Sequence, residues 1–203
     1  PIRYPDFDLA AGATLALIGP SGSGKTTALA ALAGLAQPAS GQVLVAGQPL
    51  SAGIADAWRA RLGWLPQDPH FLAASLRRNL APGPVAATDM GLALRQAQAD
   101  GVVARLPRGL EARLGERGAG VSGGEARRLL LGRVSLARPD LILADEPTAD
   151  LDDETARAVT DALLGLVAEG AGLVVATHDP RLAARMSATV RLGLPAGAQT
   201  RDA

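Results

Sequence analysis

Apolar residues along this chain come in short unbroken runs, separated by longer stretches in which they recur at helical spacing. Thr14-Leu15-Ala16-Leu17-Ile18, Leu141-Ile142-Leu143-Ala144 and Leu173-Val174-Val175-Ala176 have strand length and almost no polar content. Such strands are buried on both faces, as in a parallel sheet. Leu62 to Pro66 is a further short run stopped by its proline, Gln42 to Gly47 one closed by a turn, and Ala188 to Leu192 a last one. The intervening spacing predicts a helix over Thr27–Ala33 ended by Gly34, one over Ile54–Arg61, and a short one over Leu76–Leu80 with Ser75 as its N-cap. Asp89 is expected to cap another reaching about Gln98, and Glu125–Ala137 forms the next. Asp152 to Glu169 places Ala156, Val159, Leu163, Leu166 and Val167 on one face. Residues 1–12 are Pro-rich, the Gly- and Arg-rich stretch from Gly101 to Gly120 carries no expected element, and the tail from Pro195 reads as frayed. Strands alternating with helices predict an α/β fold with a mainly parallel sheet flanked by helices.

Composition narrows this picture. At 203 residues the chain is one domain, or one domain with a lobe. It is 48% hydrophobic but only 2% aromatic, so its core is built from Ala, Leu and Val. Twenty acidic and twenty basic residues leave no net charge, hence no electrostatic footprint for nucleic acid or an anionic membrane. With no cysteine there is no disulfide or thiol chemistry. No apolar run approaches the roughly 20 residues needed to span a bilayer. The chain begins at Pro1 without a methionine, which reads as a processed start or a segment of a longer polypeptide.

The chemistry concentrates in Gly19-Pro20-Ser21-Gly22-Ser23-Gly24-Lys25-Thr26, the pattern G-x-x-x-x-G-K-[ST] set between a strand and a helix. Glycines let backbone N–H groups curl round phosphate oxygens, and the helix N-terminus adds partial positive charge. Lys25 is the chain's only lysine against 19 arginines. A flexible point charge suits this loop where a planar guanidinium would not. Lys25 is expected to bridge the β- and γ-phosphates and Thr26 to ligate Mg²⁺. Asp145-Glu146 and His178 also follow apolar strands directly, and ligands of parallel α/β sheets bind at the carboxyl ends of strands.

These motifs together resemble the ATP-binding cassette family, over about Leu9 to Leu192. Gly19 to Thr26 is similar to the Walker A loop, Gln67 to the Q-loop glutamine, and Val121-Ser122-Gly123-Gly124-Glu125 to the signature usually written L-S-G-G-Q. Leu141 to Glu146 resembles Walker B with its glutamate, Ala149-Asp150-Leu151-Asp152 the D-loop, and His178 the switch histidine. The resemblance implies a P-loop NTPase with core 12–66 and 138–193, a helical subdomain over about 67–137, a small truncated antiparallel β lobe and a tail at 194–203. It implies ATP held by Gly19 to Thr26 with Thr27, and Mg²⁺ held by Thr26, Gln67 and Asp145. Glu146, His178 and Gln67 become the catalytic set. Ser122, Gly123, Gly124 and Glu125 are implied to close on ATP held by a second cassette, in a homo- or heterodimer. Glu125 stands where glutamine is usual, and Val121 where leucine is. The family's adenine-stacking aromatic lies further upstream than Tyr4, so its strand is expected to be missing, with Tyr4 the alternative.

Gln67 to Leu80, and Gly115-Glu116-Arg117-Gly118, resemble the exporter branch, whose cassettes follow a membrane domain in the same chain and sit on the cytoplasmic face of the membrane. Stretches around the signature and Walker B are similar to the cysteine/glutathione exporters of cytochrome bd assembly. No nucleic-acid partner is expected. The alternatives are a non-transport ATPase of DNA-repair or chromosome type, an importer ATPase subunit, and a module that binds nucleotide without hydrolysis. The uninterrupted cassette and neutral charge weigh against the first, and Glu146 with His178 against the last.

Overall fold

The computed structural model describes residues 2–115 and 120–193. Glu116, Arg117 and Gly118 of the exporter-like loop, and the 194–203 tail, lie outside the described residues. The main sheet has five strands, all parallel: β1 (Thr14–Ile18), β4 (Leu62–Leu65), β5 (Leu141–Asp145), β6 (Gly172–Thr177) and β7 (Ala188–Arg191), in the order β4-β5-β6-β1-β7. Ala16 faces Val175, and Ala144 is paired with Val175 on its other side.

Side-chain alternation splits the apolar runs between two cores. Ala16, Ile142, Ala144, Leu173 and Val175 face helices α6 (Gly123–Ala137) and α7 (Asp153–Ala168). Leu15, Leu17, Leu143, Val174 and Ala176 face α1 (Lys25–Leu32) and the N-terminal segment with Tyr4 and Phe7. Both faces are covered, which is why these strands carry no polar side. Around α6 gather α3 (Leu76–Leu80), α4 (Ala87–Gln96), α5 (Asp100–Arg105) and a 3₁₀ turn at Gly109–Glu111.

The platform under the glycine loop is closed tightly. At the end of α1, Gly34 (φ +67°) lets the Leu35 N–H reach the Ala30 carbonyl at 2.8 Å and its own N–H reach Ala31 at 3.0 Å. Helix α2 (Ala52–Arg59) adds two side-chain donors: Trp58 Nε1 to the Leu32 carbonyl at 2.8 Å, and Arg59 to the Gly34 carbonyl at 3.1 Å. Arg59 also sets a cation at the negative end of the helix dipole.

Several expectations are corrected. The Gln42–Gly47 strand shrinks to β2 (Leu44–Val45), paired antiparallel with β3 (Gln48–Pro49). Ala46 (φ +49°) and Gly47 (φ +77°) form a two-residue hairpin turn, and Pro49 has no N–H to extend the ladder. Ala86, not Asp89, caps α4; Asp89 lies in the first turn, where its charge favours the helix dipole. The Gly101–Gly120 stretch contains α5, too short for its period to show in sequence. A last helix, α8 (Pro180–Ala183), follows Asp179, whose carboxylate accepts from the Arg181 N–H at 2.8 Å.

Gly63 marks where β4 meets α6. A Cβ there would stand 2.6 Å from Val134 Cγ1 and 3.0 Å from Pro139 Cγ. Val134 is buried and stiff at χ1, so it cannot yield cheaply. Gly63→Ala is expected to cost about 1–3 kcal/mol, measured as a lower denaturation midpoint, with Gly63→Val worse.

Candidate active site

The site is assembled where β1, β5 and β6 end. After β1, the chain turns through Gly19–Gly24 and enters α1 at Lys25. Gly24 has φ +92°, and a Cβ there would lie 2.5 Å from Ile2 Cδ1 and 2.8 Å from the Tyr4 hydroxyl. At Gly19 a Cβ would meet the Leu192 carbonyl at 2.5 Å. Tyr4 donates its hydroxyl to the Gly24 carbonyl at 3.0 Å, pinning the N-terminal segment onto the loop. Burial raises the Tyr4 pKa. The Lys25 ammonium, buried to 8% exposure, donates to the carbonyls of Gly19 (2.9 Å) and Pro20 (3.3 Å) and lies 3.5 Å from Glu146 Oε1. Ser23 is fully buried; its N–H donates to the Pro20 carbonyl at 3.2 Å, and its hydroxyl has no partner among the described residues.

At the end of β5 the two carboxylates take different surroundings. Asp145 accepts from the Thr26 hydroxyl at 2.7 Å. Its burial raises its pKa, and the Thr26 bond opposes that shift. Glu146 has φ +45°, a left-handed conformation that costs a non-glycine residue about 1–3 kcal/mol. Its N–H is anchored on the Ala176 carbonyl at 2.8 Å, while its carboxylate lies 2.9 Å from His178 Nδ1 and accepts from the His178 N–H at 3.3 Å. Strain at Glu146 thus turns its side chain toward the end of β6, where His178 begins the next segment.

These groups line one cavity of about 480 Å³. Ser21, Gly22, Gly24, Lys25, Thr26 and Thr27 form one wall, Asp145, Glu146 and His178 another, and Gln67 and Asp150 complete the rim. Gly19, Pro20 and Ser23 do not line the cavity; the carbonyls of Gly19 and Pro20 hold the Lys25 ammonium. Ile2 also lines the cavity and Asp150 reaches it with φ +59°. Ile2 carries no sequence signal for this position, whereas Asp150 sits in the D-loop stretch.

Ser122, Gly123, Gly124 and Glu125 stand outside this cavity, at the first turn of α6. Ser122 and Gly123 are exposed, and Gly124 is pressed against α7, since a Cβ there would lie 2.4 Å from Thr155 Cγ2. Ser122 and Glu125 form a capping box: the Ser122 hydroxyl accepts from the Glu125 N–H at 3.3 Å, and the Glu125 carboxylate from the Ser122 N–H at 2.8 Å. Glu125 is also ion-paired with Arg105 of α5. The carboxylate that replaces the usual glutamine is therefore spent on its own helix and a cation.

The sequence profile of ABC transporters matches residues 2–149. The chain belongs to the ABC transporter family. It is the ATP-binding, ATPase part of such a transporter, a five-stranded parallel α/β domain with helices on both faces. The chain is 40% identical over 159 residues to the mycobactin import ATP-binding/permease protein IrtB of Mycolicibacterium smegmatis, covering 77% of this chain and 28% of that protein. It is 38% identical over 198 residues to the lipoprotein-releasing system ATP-binding protein LolD of Novosphingobium aromaticivorans, covering 94% of this chain and 87% of that one. A bacterial Atm1-family ABC exporter with ATP bound has the same fold, with TM-score 0.81 and 30% identity, over 92% of this chain and 33% of the exporter. The ABC domain thus spans less than a third of the length of the IrtB relative.

The capping box makes a pH prediction. The Ser122 backbone bond lowers the Glu125 pKa below its ordinary 4.5, partly opposed by desolvation, with Arg105 adding to the lowering. A depressed carboxyl stabilises the fold above the unfolded value and loses that contribution as pH falls through the folded value. Compared with Glu125→Gln, the native domain is expected to lose stability as pH drops from about 5 to about 3, seen in denaturant titrations at each pH.

Proposed function

We propose that the cavity binds ATP with Mg²⁺ and hydrolyses it in a shared site between two cassettes, powering export through a membrane domain carried by the same parent polypeptide, on the cytoplasmic face of the membrane. One observation supports the reading: Lys25, Thr26, Asp145, Glu146, His178 and Gln67 converge on one cavity, while Ser122 and Gly123 stand exposed outside it at the start of α6.

In this reading the loop N–H groups, the start of α1 and Lys25 bind the phosphates. Thr26 Oγ1 and Asp145 Oδ2 lie 2.7 Å apart. This hydroxyl and this carboxylate are the oxygens that would hold Mg²⁺. No group of three or more His, Cys, Asp or Glu residues among the described ones could hold a metal alone. Such a partial oxygen set fits Mg²⁺, which takes one or two protein ligands and completes its shell with phosphate and water. Mg²⁺ held by Thr26 and Asp145 would neutralise phosphate charge. Gln67 approaches from the rim as a further oxygen donor and sensor of the γ-phosphate. Glu146 is the base that orients and deprotonates the attacking water, and His178, 2.9 Å away, holds its carboxylate in place. Ser122, Gly123 and Gly124 of a partner cassette complete the γ-phosphate cradle in trans.

Export is supported by the exporter-like Gln67–Leu80 stretch and the Atm1-family neighbour. The permease-fused relatives support a membrane domain in the parent chain. A second reading, a free-standing ATPase subunit, is favoured by the match across 87% of LolD. Transport assays in inside-out vesicles with the full parent protein separate export from import.

Lys25→Ala removes a charged donor worth about 1.5–3 kcal/mol, and is expected to weaken ATP binding about 10- to 100-fold by calorimetry. Unchanged affinity would refute the phosphate role. Glu146→Gln is expected to keep ATP affinity and lower kcat by about 10²- to 10⁴-fold. In light scattering it should pair with ATP and Mg²⁺ but not with ADP, and Ser122→Arg should abolish that pairing. A monomer under every condition, heterologous cassette included, would remove the trans role of Ser122.

A further inference from the structure

Arg127 stands on the second turn of α6, at 6% exposure. One terminal nitrogen donates to the Gln67 carbonyl at 3.2 Å, and its Nε has no partner among the described residues. The nearby opposite charges are Asp150 and Asp68, which oppose the lowering of its pKa by burial. A guanidinium cannot shed its charge to relieve that burial. Replacing a buried, under-partnered charge by an apolar residue of similar volume is often neutral or stabilising, so packing alone gives no reason for an arginine here. Its surroundings do. Gln67 and Asp150 come from separate segments, one after β4 and one after β5, and both reach the rim of the cavity. Among the described residues, three carboxylates line that cavity, Asp145, Glu146 and Asp150, against the one ammonium of Lys25. Arg127 lies behind the rim, on the helix that begins at Ser122 to Gly124.

We propose that Arg127 is a positioning residue for ATP hydrolysis: its hydrogen bond holds the Gln67 backbone and its charge offsets Asp150, tying both sides of the nucleotide cavity to the helix that carries the signature. The inference rests on the ATPase reading of that cavity. It makes α6 a rigid link, so that a shift of Ser122 to Gly124 on meeting a partner's nucleotide moves Gln67 and Asp150 in the chain's own site.

The test uses the purified protein with Arg127→Met, which keeps volume, and Arg127→Gln, which keeps a donor for the Gln67 carbonyl. Tm, ATP affinity, kcat and KM are measured for each. The expected result for Arg127→Met is an unchanged or higher Tm, ATP affinity within about threefold, and kcat lowered about tenfold or more. Arg127→Gln should recover part of that kcat. In a cycle with Asp150→Asn, the double variant should lose less than the two single losses combined. A native kcat in Arg127→Met overturns the proposal. So does a large loss of Tm in both variants in step with activity, which would make Arg127 structural. Strict additivity with Asp150→Asn overturns the charge pairing. Glu146→Gln assayed alongside separates the failures. Undiminished hydrolysis there refutes the site itself, whereas lost hydrolysis there with native Arg127→Met refutes this inference alone.

Discussion

An apolar parallel sheet that ends in charge is the constraint on which this structure rests. Asp145 and Glu146 are both buried at the end of β5, and among the described residues the ammonium beside Glu146 is that of the chain's only lysine. Burial of that kind is unfavourable unless every group finds partners. Lys25 has two carbonyls and Glu146, Asp145 has the Thr26 hydroxyl, and Glu146 has His178. The same contacts that satisfy these charges set them 2.7 to 3.5 Å apart around one cavity.

Holding that arrangement requires a stiff frame. The left-handed backbone at Glu146 persists because the Ala176 carbonyl anchors its N–H from the neighbouring strand. Helix α1 is fixed at its far end by Gly34, Trp58 and Arg59, and at its near end the loop is clamped by Tyr4. Strain and close backbone approach therefore sit at the Gly19–Gly24 loop and the carboxylates, while regular packing surrounds them.

The Ser122–Glu125 turn is built on the opposite principle. Its serine and first glycine stay exposed, its second glycine is pressed onto α7, and its glutamate is consumed by the capping box and Arg105. What remains exposed is the Ser122 side chain and the Gly123 backbone at the N-terminus of α6, where the proposed contact with a second cassette would form. The helix behind it runs into the core and carries Arg127 to the Gln67 carbonyl, so the outward-facing and inward-facing halves share one rigid element.

The sequence by itself determined the α/β class and the placing of Lys25, Asp145 and His178 after apolar strands, because doubly buried strands must be continuously apolar and a phosphate loop must be glycine-rich. It also determined the N-cap at Ser75, a local rule. It misjudged the Gln42–Gly47 strand and the cap at Asp89, where turn geometry and one helical turn of offset decided, and it left α5 unseen, since six residues display no period. Only the tertiary structure decided the order of strands, and with it that Thr26 meets Asp145 and Glu146 meets His178. Only it brought Ile2 and Asp150 to the cavity, paired Glu125 with Arg105, and buried Arg127 against Gln67. Those contacts join residues far apart in the chain, and nothing in local spacing encodes which strand lies beside which.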